Sequence, residues 1–388
     1  MKFALSDLGI VCALGCGKNE VLKNALSASV VGMVKSDSVI KGSQTVLGEV
    51  SCSLPEISNS YYDTRCNQLA LKAVLEIESC ILDAISKYGK DRVGVVIGSS
   101  NSGMREFQNE YYLYSRCNNI NKPLACHGEL GNCADFLREY FKLTAPSYTI
   151  STACSSSAKA FASAQNLLKN NVVDAVIVGG ADSICNFVVN GFSALGAIST
   201  NLTNPMSVNR SGINIGEGAG IFLMTKESAS INLLSVGESS DAYHITSPDP
   251  SGEGAKLSML DALKKANLQP SQIDYLNLHG TGTLFNDSME SKAVNSVFGE
   301  NLKCSSTKAM TGHTLGAAGA IEAGLCYLMM SDLNSTKQLL PHVFDGNLDD
   351  KISRISLVDN CEYANVKYVL SNSFAFGGSN ASVILEKA

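Results

Sequence analysis

Two stretches decide the fold: VGVVIGSSNSG, 93–103, and DYLNLHGTGT, 274–283. Each is a short apolar run that breaks into a turn of Gly, Ser and Thr, the pattern of a buried strand ending at a tight connection. Each is followed, after a connection, by a helical stretch crowded with small residues, ACSSSAKAFASA and LGAAGAIEAG. A helix made of Ala, Ser and Gly lets other backbones approach closely and belongs inside a protein. The strands begin 181 residues apart, nearly half of the 388-residue chain, which suggests two similar halves. Identity between the halves is negligible, so the pattern alone leaves a chance likeness open.

Working outward, further runs at 172–180, 219–225 and 381–386 read as buried strands. Helix candidates span 154–170, 254–266, 287–298 and 315–330. Strand and helix alternating in this way predict an α/β fold in layers. No Pro/Ser linker or low-complexity tract divides the chain, so one compact unit is expected.

Only 17% of residues are charged and 45% are hydrophobic, which excludes a disordered chain and a charge-laced coiled coil. The balance of 30 Lys+Arg against 36 Asp+Glu offers no electrostatic footprint for nucleic acid. There is neither a leader-like apolar segment nor a run of ~18 apolar residues, so a cytoplasmic protein without a membrane span is expected. The 13 cysteines are an odd number without a CxxC pair, and most of them read as small buried residues in a reducing compartment, not as a disulfide framework. Cys117, Cys126, His127 and Cys133 have spacings that match no zinc knuckle, and no metal is expected.

Cys154 differs from the other cysteines in its setting. It follows the strand-like SYTISTA and opens the small-residue helix, where the helix dipole favours a thiolate and lowers the thiol pKa. The same turn exposes a backbone N–H beside the sulfur, half of an oxyanion hole. Another buried structural cysteine is the alternative. Two of the five histidines, His279 in LHGTGT and His313 in MTGHTLGAAG, sit in glycine turns after expected strands. A cysteine with two imidazoles suits carbanion chemistry on thioesters, the thiol holding an acyl group and the N–H donors stabilising an enolate. Lys308 and Glu322 flank His313, either as a buried pair that sets local charge or as a solvated surface pair. Phe374 and Phe376, in NSFAFGGSN, are core anchors or a pocket gate. NRSGINIGEGAG, 209–220, precedes a strand instead of following one and is a poor phosphate loop, and the absence of GxSxG opposes an α/β-hydrolase.

Taken together, TACSSSA, HGTGT, STKAMTGHTLGAAG and NSFAFGGSN resemble, in order, the nucleophile, first-histidine, lysine/second-histidine and C-terminal motifs of the β-ketoacyl-acyl-carrier-protein synthases of the thiolase superfamily. The resemblance runs from Leu8 to the end. It implies a thiolase-like, duplicated five-layer αβαβα fold and a dimer. Residues 1–230 would form the half with the nucleophile, and 231–388 the half with both histidines. It implies a decarboxylative Claisen condensation in which Cys154 takes an acyl group from the phosphopantetheine of an acyl carrier protein, with no other cofactor. His279 and His313 would stabilise the malonyl-derived enolate, and Lys308 with Glu322 would organise the site. The N–H groups of Cys154 and Phe376 would form the oxyanion hole, Phe376 would gate the acyl pocket, with Phe374 in support, and Thr281 and Thr283 would touch pantetheine.

Departures from the commonest pattern are Lys159 for His, Ser211 for Asp, Ala375 for Gly and a shortened connection over 198–209. They turn the resemblance from ordinary fatty-acid elongation toward synthases of bacterial aryl-polyene and type II polyketide clusters. There a homodimer or a heterodimer with a chain-length-factor-like subunit is implied. The alternatives are a non-catalytic subunit of such a heterodimer, opposed by the intact Cys154, and a CoA-dependent thiolase. A thiolase would need a second late catalytic cysteine, and Cys361 stands in DNCEYAN without a glycine motif.

Overall fold

The computed structural model describes residues 2–116 and 125–388. Its main sheet contains ten principal strands: β1 (Phe3–Cys12), β2 (Val93–Gly98), β3 (Ser147–Ile150), β4 (Ala175–Asp182) and β5 (Gly218–Thr225), then β6 (Ile231–Ser240), β7 (Tyr275–Asn277), β8 (Lys303–Ser305), β9 (Tyr368–Phe374) and β10 (Ser379–Lys387). The spatial order is β8-β7-β9-β10-β6-β1-β5-β4-β2-β3. Each set of five has the same internal order, third-second-fourth-fifth-first. Each has parallel pairing among its second, third and fourth strands and antiparallel pairing onward to its fifth and first. The sets meet where β1 and β6 pair at Phe3–Leu233 and Ala4–Asn232. The strands at 93 and 274 therefore hold equivalent places, as second strands of their sets.

Seven helices matter for the site: α1 (Arg65–Glu76), α2 (Asn132–Tyr140), α3 (Ser156–Lys169), α4 (Asn186–Ala194), α5 (Glu253–Ala266), α6 (Leu284–Phe298) and α7 (Ala318–Met330). The expected strands and helices fall within a few residues of these bounds, except that 315–317 forms a 3-10 turn ahead of α7. Helices α3 and α7 touch each other and strands of both sets, so they form a central layer. α1 and α2 cover one outer side, α5 with α6 the other. This is the α/β, five-layer αβαβα arrangement.

The central layer explains the small-residue sequences. Every residue of α7 is buried, and a Cβ on Gly319 would come within 2.9 Å of the Ala158 backbone nitrogen in α3. Larger side chains there would push the two helices apart. Phe161 of α3, Phe222 of β5 and Tyr327 of α7 interlock edge-to-face, with centroids 5.4 and 5.7 Å apart. Each such buried ring adds about 1.5–3 kcal/mol.

The cysteine expectation needs one correction. Cys16 and Cys52 form a disulfide, while ten other cysteines among the described residues are free. A tight hairpin after β1 pairs Gly15–Cys16 back onto Val11–Cys12, and this presents Cys16 to the segment that follows strand Thr45–Gly48. Pairing across 36 residues depends on that hairpin and leaves no mark in cysteine spacing. Of the weak metal cluster, Cys117 lies outside the described residues. Cys126 bonds the Tyr61 carbonyl, and His127 bonds the Ser60 carbonyl and has Nδ1 3.1 Å from a Glu110 carboxylate oxygen. Among the described residues no helix is long and apolar enough to cross a membrane.

Candidate active site

The nucleophile candidate stands on a strained turn between β3 and α3. Ala153, immediately before it, has φ +51°, a left-handed conformation that costs a non-glycine residue roughly 1 kcal/mol. The turn is held by Ser156, whose amide and hydroxyl donate to the Ala153 carbonyl and whose Oγ accepts the Thr152 N–H. Below it, the buried Asp182 at the end of β4 accepts from Ser99, Ser100 and Asn101 and fixes the turn after β2.

His313 Nε2 lies 3.0 Å from Cys154 Sγ, and the imidazole rings of His279 and His313 meet edge-to-face with centroids 5.3 Å apart. His313 is fixed through its backbone: its N–H donates to the Asn214 carbonyl at 2.7 Å, and its carbonyl accepts from Gly216 at 3.0 Å. The Leu315 N–H donates to His313 Nδ1 at 3.3 Å. Lys308 Nζ donates to His279 Nδ1 at 3.3 Å, and its other contact is an ion pair with Glu322, both partners buried. A nitrogen that accepts carries no proton, so in both rings the proton sits on Nε2. These tautomers are assigned from the hydrogen bonds.

Burial controls the charges. Desolvation, with Lys308 nearby, holds both imidazoles well below their ordinary range, so they are neutral N–H donors at neutral pH. The Cys154 thiol is pushed up to about 11 by burial, against the opposing pull of Lys308 and of the Phe376 N–H aimed at the sulfur. The expected lowering by the helix dipole is thereby corrected. The sulfur sits two residues ahead of the first turn of α3, in a site dry enough for desolvation to outweigh the dipole. Glu322 is raised to about 6 by burial despite Lys308.

Cys154, His279 and His313 offer ligand atoms within 4.8 Å of one another, a set that a soft divalent metal could bridge. A metal at Nε2 would need the lone pair that the proton now occupies, with Nδ1 protonated instead. The Leu315 amide and the Lys308 ammonium both oppose that tautomer.

A cavity of about 270 Å³ opens from the thiol to the surface. Phe374, Phe376, Phe192, Thr281 and Thr283 are among its lining residues. Phe374 packs its ring on His279 at 6.1 Å, and Phe376 stacks on Phe192 of α4 at 5.3 Å. The Thr281 and Thr283 hydroxyls lie 3.0 Å apart, and Thr283 also caps α6 by accepting the Asn286 N–H. Lys159 is not among the residues lining the cavity and pairs with Glu238 at 3.7 Å. Every predicted site residue except Glu322 and Lys308 lines this cavity, and those two stand directly behind His279.

Sequence reasoning missed the buried carboxylates of α6. Glu290 accepts the N–H groups of His279 and Gly280, each at 2.7 Å, and burial raises it to about 7. Asp287 accepts from Gly282 and Met206. Two acids three residues apart on the helix that follows HGTGT were a readable signal, because one helix face brings both back to the loop.

Comparisons with known proteins identify the family. The family model "Beta-ketoacyl synthase, N-terminal domain" matches residues 64–230, and "Beta-ketoacyl synthase, C-terminal domain" matches 231–340. The chain is 33% identical over 324 residues to a 3-oxoacyl-[acyl-carrier-protein] synthase 2 of Coxiella burnetii, covering 78% of this chain and 77% of that one. It is also 33% identical over 343 residues to one of Staphylococcus aureus, covering 83% and 82%. A solved ketosynthase (ApeO), in complex with its chain length factor (ApeC), from Xenorhabdus doucetiae superposes with TM-score 0.95 at 39% identity, over 100% of this chain and 98% of that one. The ishigamide ketosynthase/chain length factor shares the fold, with TM-score 0.91 at 23% identity over 100% and 99%. With a thiol and two neutral imidazole donors meeting at the floor of one cavity, the chain belongs to the β-ketoacyl synthase family of condensing enzymes.

Proposed function

We propose that the protein elongates an acyl chain by decarboxylative condensation with malonyl-acyl-carrier protein, the acyl group being held on Cys154. The observation that carries this reading is the placement of two imidazoles at the sulfur: His313 Nε2 at 3.0 Å from Sγ, with the His279 ring beside it, Nδ1 of each facing a donor.

In the first half-reaction, Cys154 Sγ attacks the thioester carbonyl of an acyl group on carrier phosphopantetheine. The oxyanion is met by backbone N–H groups of Cys154 and Phe376. The bond to the pantetheine sulfur breaks, and the carrier thiol leaves with the cysteine proton. Malonyl-carrier then enters along Thr281 and Thr283. Its C–C bond to the carboxylate breaks, CO2 departs, and the electron pair becomes an enolate whose oxygen accepts from Nε2–H of His279 and His313. The carbanion attacks the acyl-cysteine carbonyl, the C–S bond to Cys154 breaks with its electron pair leaving on sulfur, and the thiolate takes a proton from solvent to restore the thiol. Lys308 and Glu322 hold His279 in its donor tautomer. Phe376 gates the acyl pocket by swinging off Phe192, and Phe374 supports His279.

We assign the nucleophile to a half comprising residues 1–230 and the histidines to a half comprising 231–388. The 39% identity to ApeO over the whole chain supports the aryl-polyene/type II polyketide branch and pairing with a chain-length-factor-like subunit, with an acyl carrier protein as substrate carrier. The free thiols among the described residues support a cytoplasmic setting, Cys16–Cys52 being the exception. The test is to supply acyl-carrier and malonyl-carrier to the protein, alone and with a candidate partner subunit. CO2 release with formation of 3-ketoacyl-carrier supports the reading. Failure with every carrier and partner, while the fold is intact, overturns it.

A further inference from the structure

The two histidines belong to different loops, and a small buried linkage between those loops is not part of the catalytic set. Asn214 is fully buried. Its main-chain carbonyl accepts the His313 N–H at 2.7 Å, while its side chain does something separate. Its Oδ1 accepts the Thr203 N–H at 2.6 Å, and its Nδ2 donates to the Asn201 carbonyl at 3.0 Å. Thr203, also buried, shares its hydroxyl proton between the carbonyls of Gly212 at 2.7 Å and Thr281 at 3.1 Å. The Gly212 N–H in turn donates to the Gly282 carbonyl at 2.9 Å. A Cβ on Gly282 would lie 2.3 Å from Thr203 Oγ1, so that approach requires glycine, whose φ here is +75°.

We propose that Asn214 and Thr203 are positioning residues that set the separation of the His279 and His313 donors. One end of the linkage is the hydrogen bond that holds the His313 backbone. The other grips Thr281, two residues after His279. Thr203 itself is not among the residues that line the cavity. The inference rests on the proposed function, because it assigns the linkage to the step in which two donors must converge on one oxygen. A misplacement of about 1 Å at such a site costs roughly 100-fold in rate. Acyl loading on Cys154 passes the same Thr281 and His313 but relies on the Cys154 and Phe376 amides for its oxyanion, so it depends less on the spacing of the two imidazoles than decarboxylation does.

The experiment separates the half-reactions in the full-length protein. Thr203→Val keeps the shape and removes the bridging proton, Thr203→Ser restores it, and Asn214→Leu removes the side-chain partner of Thr203 while keeping its own carbonyl. Acyl transfer to Cys154 is followed by intact mass, malonyl-carrier decarboxylation by CO2 release, and thermal midpoints are recorded for each. The inference predicts a fall in decarboxylation of at least about 10-fold in Thr203→Val. Loading falls by a clearly smaller factor than decarboxylation, and Thr203→Ser recovers most of the loss. A Thr203→Val protein that decarboxylates normally, or loses both half-reactions in equal measure, overturns it even if Asn214→Leu does not fold. A parent protein that decarboxylates no malonyl-carrier refutes the proposed function instead.

Discussion

His313 faces Cys154 with one ring nitrogen, 3.0 Å from the sulfur, while its other accepts the Leu315 N–H at 3.3 Å. The ring is therefore a donor toward the reacting centre, and its removal is felt mainly where negative charge develops on oxygen. His313→Ala is predicted to lower malonyl-carrier decarboxylation by about 10²–10³-fold, the usual loss for one oxyanion donor. Acyl loading on Cys154 falls less. Measuring both half-reactions on one preparation checks this, and equal losses would contradict it.

Glu322 contributes the lower part of the site's acid limb, below that of Glu290, which burial raises to about 7. The Glu322 carboxyl, raised to about 6, is ionised above that pH and pairs with Lys308; below it the proton removes the counterion of the ammonium that holds His279. Activity should therefore fall as pH drops through about 6. The histidines, held well below their ordinary range, are not the cause of that fall. In Glu322→Gln the plateau is lower and the limb between pH 5 and 7 is flattened. A rate profile for both proteins checks this; an unaltered limb in the variant would contradict it.

Cys154 is raised to about 11 in the free protein, so only a small fraction is thiolate at neutral pH. Alkylation by iodoacetamide is predicted to accelerate by about tenfold per pH unit from 7 to 9, since the thiolate is the reacting form. A plateau beginning near pH 7 would show that the dipole and the Phe376 amide outweigh burial after all.

The Cys16–Cys52 bond closes a loop across 36 residues, for which chain entropy gives about 4 kcal/mol of stabilisation. A Cys16→Ser variant, or the parent in excess dithiol, should unfold at lower denaturant concentration. A midpoint unmoved by either treatment would contradict this.

Much of the fold was legible because it rests on local patterns. The strands at 93 and 274 end in glycine-rich turns, and the following helices are built of residues that fit only a crowded interior. Cys154 was legible because it opens a helix of small residues, and His279 and His313 because each sits in a glycine-rich turn. What stayed hidden depends on contacts between distant segments. Glu290 and Asp287 look like ordinary helix acids until α6 is seen folded back over the loop it follows. Asn214 and Thr203 gain meaning only when the segment 199–216 lies between both histidine loops. The Cys154 thiol was misjudged because burial is a property of the assembled layers, whereas the helix dipole can be read from one segment.

The central claim is that Cys154 is the acyl carrier of a two-stage condensation. It is tested most directly by intact-mass analysis of the protein after exposure to acyl-carrier, and again after malonyl-carrier is added. The prediction is one acyl mass increment localised to Cys154 and absent in Cys154→Ala, which disappears on adding malonyl-carrier as 3-ketoacyl-carrier forms. No increment on Cys154 with a suitable carrier and partner present, or an increment that malonyl-carrier leaves in place, would contradict it.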